Sequence, residues 1–132
     1  MKGTIAMLFA PLDEKTMTML VLVLIMILLD VLVGVTLSFM KSNFSTEKMR
    51  EGMYHKASLI LILLLGWICD TAMIHVPELG LPQMILFSCE IIIFAMELAS
   101  ILENLVKMNP DLSGNPILKH FTSKVDKTPA DE

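Results

Sequence analysis

The chain has 132 residues, 55% of them hydrophobic and only 18% charged, with a formal net charge of −4 and a mean hydropathy of +0.69. A soluble domain carries about 25% charged residues, and a nucleic-acid binder presents a basic face. The composition therefore excludes most soluble enzymes, nucleic-acid binders and disordered adaptors, and points to a small all-α integral membrane protein.

Residues 1–16 form an N-terminal segment. Its apolar stretch, Thr4–Leu12, is short, Lys2 is the one early positive charge, and no small-x-small cleavage site follows the next apolar run. It lacks the features of a signal peptide, so the first membrane segment is expected to be kept. Pro11 separates Thr4–Leu12 from that segment, which leaves it as a short helix lying along the membrane interface.

A spanning helix needs about 20 apolar residues. Three stretches qualify, Met17–Met40, Ala57–Val76 and Gln83–Leu102, within a three-helix transmembrane domain over residues 17–106. The intervening Lys41–Lys56 loop carries Lys41, Lys48, Arg50 and Lys56. Its Ser45-Thr-Glu-Lys48 has the pattern of a helix N-cap followed by acid in the first turn. The second helix is thus expected to start near Thr46 and enter the membrane near Ala57. Pro77 and Pro82 bracket a tight loop that stops this helix and starts the third. Residues 107–132 form a polar, flexible tail, in which Ile117–Val125 could make one short helix and the last residues read as disordered.

Lys and Arg counts set orientation. The Lys41–Lys56 loop has four, the tail has Lys107, Lys119, Lys124 and Lys127, the N-terminal segment has Lys2 and Lys15, and the Val76–Pro82 loop has none. This asymmetry places the first loop and the C-terminus in the cytoplasm and the N-terminus outside.

Asp30, Asp70, Glu90 and Glu97 fall inside the spans, and Glu103 at the end of the third, and no Lys, Arg or His is expected to accompany them at depth. Each such residue near the bilayer centre costs about 2.5–3.5 kcal/mol on an insertion scale. The third span has ten Leu, Ile and Phe residues, worth roughly 3–6 kcal/mol against about 5–7 for its two acids. It is marginal alone and needs partners or water. At 1.5 Å per residue, Asp70 and Glu90 lie about 9–12 Å below the outer ends of their spans, and Asp30 and Glu97 about 20–22 Å in. Two acid levels are expected, Asp70 with Glu90 and Asp30 with Glu97.

The acids also share faces. Glu90, Glu97 and Asn104 recur every seven residues with Ser100 on the same side. Asp30, Gly34 and Ser38 follow at four-residue spacing, as do Gly66 and Asp70, and a small residue one turn from an aspartate admits a close neighbour. Such stripes avoid lipid by facing each other or water. Interhelical glue explains any single acid; the whole Glu90–Glu97–Asn104 stripe favours a water-lined surface built from several copies. Cys69 and Cys89 lie in apolar stretches, and with Asp70 and His75 they match no metal-ligand spacing. The twelve methionines read as flexible packing. No catalytic residue, metal site or cofactor is indicated.

Glu97-Leu-Ala-Ser-Ile-Leu-Glu-Asn104 resembles the E-x-x-S-I-L-E-N signature of the phage-lysis and toxin-secretion holins of Gram-positive bacteria and their phages. Asp30-Val-Leu-Val-Gly34 resembles that family's D-x-x-x-G in the first span. Arg50-Glu-Gly-Met-Tyr-His-Lys56 resembles its basic R-x-G-x-x-x-K before the second, and Pro116-Ile-Leu-Lys119 the start of its tail. Asp70 falls where the family often has Asp. Met96 and Glu90 depart from the pattern, which is usually polar at the first position and apolar at the second.

The resemblance implies a protein that accumulates in the bacterial cytoplasmic membrane, forms homo-oligomers and opens lesions. An endolysin or a large toxin then passes, leading to lysis or export. Asp30, Glu97, Ser100, Glu103 and Asn104 are expected to carry assembly and lumen polarity. Three alternatives remain at this point: a small cation channel or proton-coupled subunit, a structural subunit whose acids pair with a partner's basic residues, and an antiholin that restrains a pore former.

Overall fold

The computed structural model describes residues 2–116 and 118–120. Of the expected tail helix at Ile117–Val125, residues 118–120 are helical, and the rest, with the final residues, lies outside the described residues. Within them the elements are α1 (Lys2–Leu8), α2 (Glu14–Met40), α3 (Thr46–His75), a 3₁₀ turn (Pro77–Leu79), α4 (Ile85–Met108) and a second 3₁₀ turn (Pro110–Gly114). α2, α3 and α4 are each long and apolar enough to cross a membrane.

The N-terminal helix ends at Leu8 rather than Leu12, and the amides of Phe9, Ala10 and Leu12 close turns onto carbonyls three residues back. α2 begins three residues before Met17, because the Asp13 side chain accepts a 2.8 Å bond from the Thr16 amide and caps the first turn. The Thr16 side chain, and then its amide, hold the Asp13 carboxyl below its ordinary range. α3 begins at Thr46 with Ser45 as its cap, as the sequence predicts.

α4 differs from expectation at its start. Met84 adopts a left-handed backbone, φ 64°, so the chain breaks after Pro82 and the helix starts at Ile85 instead of Gln83. No local side chain caps it. Asp70 of α3 does so from outside: its two oxygens accept from the Ile85 and Leu86 amides, each at 2.9 Å. The first free amides of a helix need such acceptors in a medium without water.

α4 packs against both α2 and α3, which meet each other far less. The close approach of α3 and α4 depends on Gly66. A Cβ there would stand 3.0 Å from Leu86 Cα and 3.2 Å from its nitrogen. The core is small, centred on Val23, Ile27, Leu59, Leu63, Leu86 and Ile93. Most remaining large apolar side chains, such as Leu28, Leu61 and Ile92, face outward, where acyl chains replace water as the solvent. α1 docks on the far end of α3: the Trp67 indole N–H donates to the Leu8 carbonyl at 2.7 Å, and the His75 ring lies 3.3 Å from the Met7 carbonyl.

Candidate functional site: a polar seam inside the bundle

The buried positions of each long helix follow a seam spaced by threes and fours. On α3 they are Leu59, Leu63, Gly66 and Asp70, and on α4 Leu86, Glu90, Ile93, Glu97 and Ile101. That spacing is the one that packs helices side by side. Among the described residues five buried polar or charged side chains, Thr16, Asp30, Asp70, Glu90 and Glu97, share this interior with only seven buried hydrophobic ones. The polar stripe therefore faces inward within a single chain.

At the level of Asp30 and Glu97 the structure adds a residue the sequence places before the membrane span. Lys56 belongs to α3, and its Nζ lies 2.7 Å from Asp30 Oδ2 and 2.5 Å from Glu97 Oε2. All three side chains are almost fully buried. The expectation of acids with no cation at depth is thus corrected. Lys56 heads the α3 seam, three residues before Leu59, and its flexible stem carries the ammonium to carboxylates that lipid would otherwise leave unpaired. Lys41, Lys48 and Arg50 stay exposed, near the end of the bundle where α2 turns into α3.

Asp30 and Lys56 also line a cavity of about 440 Å³ between α2 and the first turns of α3, with Gly34, Ser38, Gly52 and Met53 on its walls. Asp30 Oδ1 is buried there without a hydrogen-bond partner. Ser38 donates to the Gly34 carbonyl at 3.0 Å, and a Cβ on Gly34 would come no closer than 4.0 Å to the Asn104 amide nitrogen. Ser100 and Asn104 are half-buried on the same side of α4.

The other level holds Asp70 and Glu90, but no bond joins them. Asp70 is occupied as the α4 cap. Glu90 is 0% exposed, and neither of its carboxyl oxygens has a partner. Glu103 lies off this seam, pairs with Lys107 one helical turn on at 2.5 Å, and leaves its side chain 48% exposed. It is one position short of the seven-residue repeat that carries Glu97 to Asn104, and one residue rotates a helix by about 100°.

Cys69 and Cys89 are free thiols. Among the described residues no group of three or more His, Cys, Asp or Glu is placed to hold a metal. What the interior can do is electrostatic: it stores charged groups at membrane depth in a form that lipid tolerates.

Comparison with known proteins finds a match to the model of the bacteriophage holin family over residues 6–126. No curated protein and no solved structure matches the chain.

Proposed function

The chain belongs to the bacteriophage holin family and is a multi-pass protein of the cytoplasmic membrane, and we propose that it is a pore former whose copies assemble and open lesions wide enough for folded protein. The observation that carries this is the hidden polar seam. Five buried polar residues lie among seven apolar ones, inside helices whose outer faces are apolar. Holding three helices together needs fewer polar groups, and buried charges are poor stabilisers compared with apolar packing. Their cost is explained if the same groups line water once the helices separate and reassociate. Glu97, Ser100 and Asn104 then face a lumen, and Asp30, Gly34 and Ser38 lie beside it.

The closed bundle is the storage form. In it Lys56 offsets one of the two negative charges of Asp30 and Glu97, and α4, marginal by itself, is held by Asp70. The basic loop and the C-terminus face the cytoplasm, and α1 lies at the outer surface. The cargo is an endolysin or a large toxin.

The test is release of a folded cytoplasmic enzyme into the medium after induction of this chain alone in a bacterial host. Sudden release is expected, and Glu97→Leu is expected to insert but to delay or abolish release. Loss of membrane potential without protein release would favour an ion channel. No effect on the host would favour a subunit or an antiholin that acts on a partner.

A further inference from the structure

The Lys56 cluster is incompletely balanced. It contains two carboxylates and one ammonium, and Asp30 Oδ1 is buried with no partner although Asp30 lines the α2–α3 cavity. The two ion pairs also differ in support. The Lys56–Glu97 pair is backed by the α3–α4 contact, with Gly66 against Leu86 and Asp70 on the α4 amides. The Lys56–Asp30 pair spans a gap. Among the described residues it is the only hydrogen bond or ion pair between α2 and α3. If the bundle yields, it yields between α2 and α3.

A carboxylate left bare at this depth is costly, so Asp30 has to exchange one cation for another. The sequence restricts the choice. No Lys or Arg occurs between Lys15 and Lys41, and Lys56 is the only one between Arg50 and Lys107. Lys48 also lines the cavity, but it lies eight residues, about 12 Å, before Lys56 along α3, so the ammonium at the level of Asp30 is the Lys56 of another copy of this chain.

We propose that the subunit contact of the assembled form is an exchanged ion pair: Lys56 keeps the Glu97 of its own chain and gives its second bond to Asp30 of the next copy, across the opened α2–α3 gap. The partner is a second copy, and the surface is the gap lined by Asp30, Gly34, Gly52 and Met53. The proposal rests on the pore-forming assembly argued above and specifies its contact.

Charge reversal in trans separates this contact from a purely internal one. Asp30→Lys and Lys56→Asp chains each place like charges at the contact and are expected to lose enzyme release when expressed singly. Co-expressed, they restore every exchanged pair in an alternating assembly, and release is expected to return to at least half the parental level. The double variant in one chain carries the same Lys56→Asp carboxylate against Glu97, and its release sets the level against which rescue between two chains is read. Rescue only in one chain, never between two, overturns the proposal.

Cross-linking reads the contact without lysis. In a Cys69→Ser, Cys89→Ser background, chains carrying Asp30→Cys and chains carrying Lys56→Cys are co-expressed and oxidised in membranes. Mixed disulfide dimers exceeding either homodimer are expected; their absence while the chains still assemble overturns the proposal. If mixed dimers form but the parent releases no enzyme, the contact stands and the pore reading falls.

Discussion

The Leu86 amide of α4 donates to Asp70 Oδ2 of α3 at 2.9 Å, and the Ile85 amide donates to the other oxygen. An acid sixteen residues upstream therefore serves as the helix cap that Met84, in its left-handed conformation, cannot supply. Replacing a helix cap costs about 0.5–2 kcal/mol, and more where the amides face no water. Asp70→Ala is expected to lower the thermal midpoint of the detergent-solubilised protein, with Asp70→Asn, which keeps one acceptor, lying between it and the parent. Equal midpoints for all three would remove Asp70 from this role.

Gly66 and Gly34 look alike in the sequence, each one turn before an acid or a serine, but their surroundings differ. A Cβ at Gly66 meets the Leu86 backbone at 3.0 Å, whereas at Gly34 the nearest atom is an amide nitrogen at 4.0 Å. Backbone cannot yield as a side chain can. Gly66→Ala is expected to destabilise the bundle by about 1–3 kcal/mol, and Gly34→Ala to leave it unchanged or slightly better. Chemical denaturation in mixed micelles distinguishes the two.

Removing Lys56 alone should be severe. Lys56→Met leaves Asp30 and Glu97 facing each other, and breaking a buried ion cluster from one side costs about 3–5 kcal/mol. The neutral combination Lys56→Met, Asp30→Asn, Glu97→Gln keeps shape without charge and is expected to recover most of that loss. A triple variant no more stable than Lys56→Met would show that packing, rather than charge, explains the effect.

Glu90 has no bond for either carboxyl oxygen although it is fully buried. A buried polar group without a partner destabilises the fold that contains it. Glu90→Leu is expected to raise the thermal midpoint of the closed bundle and to delay enzyme release, since the closed form gains and the lumen loses a polar group. A lower midpoint would place a partner on Glu90.

Asp13 gives a pH dependence of known sign. Its carboxyl is held below the ordinary value of 3.8 by hydrogen bonding with the Thr16 side chain and, next, with the Thr16 amide. Its contribution to the first turn of α2 is complete above 3.8 and is lost as pH falls through the lower folded-state value. The Thr16 amide resonance should report this loss below pH 3.8, and Asp13→Asn should abolish it.

The three long helices, the Ser45 cap and the helical start at Thr46 were legible because apolar run length and capping chemistry are local signals. The shared level of Asp30 and Glu97 followed from residue rise alone. Lys56 was not legible in this way. A hydropathy boundary at Ala57 leaves it outside the membrane span, although the seam 56, 59, 63, 66 and 70 continues through it and is the signal to follow. The capping role of Asp70 depends on a tertiary approach permitted by Gly66, which no spacing along one helix reveals. Glu103 and Asn104 are neighbours in the motif, but a rotation of about 100° per residue leaves Glu103 exposed and Asn104 half-buried.

The most direct measurement concerns Ser100, half-buried beside Glu97. Ser100→Cys, in a chain lacking Cys69 and Cys89, is exposed to a membrane-impermeant maleimide before and after enzyme release begins. Protection before release and labelling after it are expected, as the internal seam becomes the wall of an aqueous hole. Release accompanied by unchanged protection of Cys at this position would contradict it.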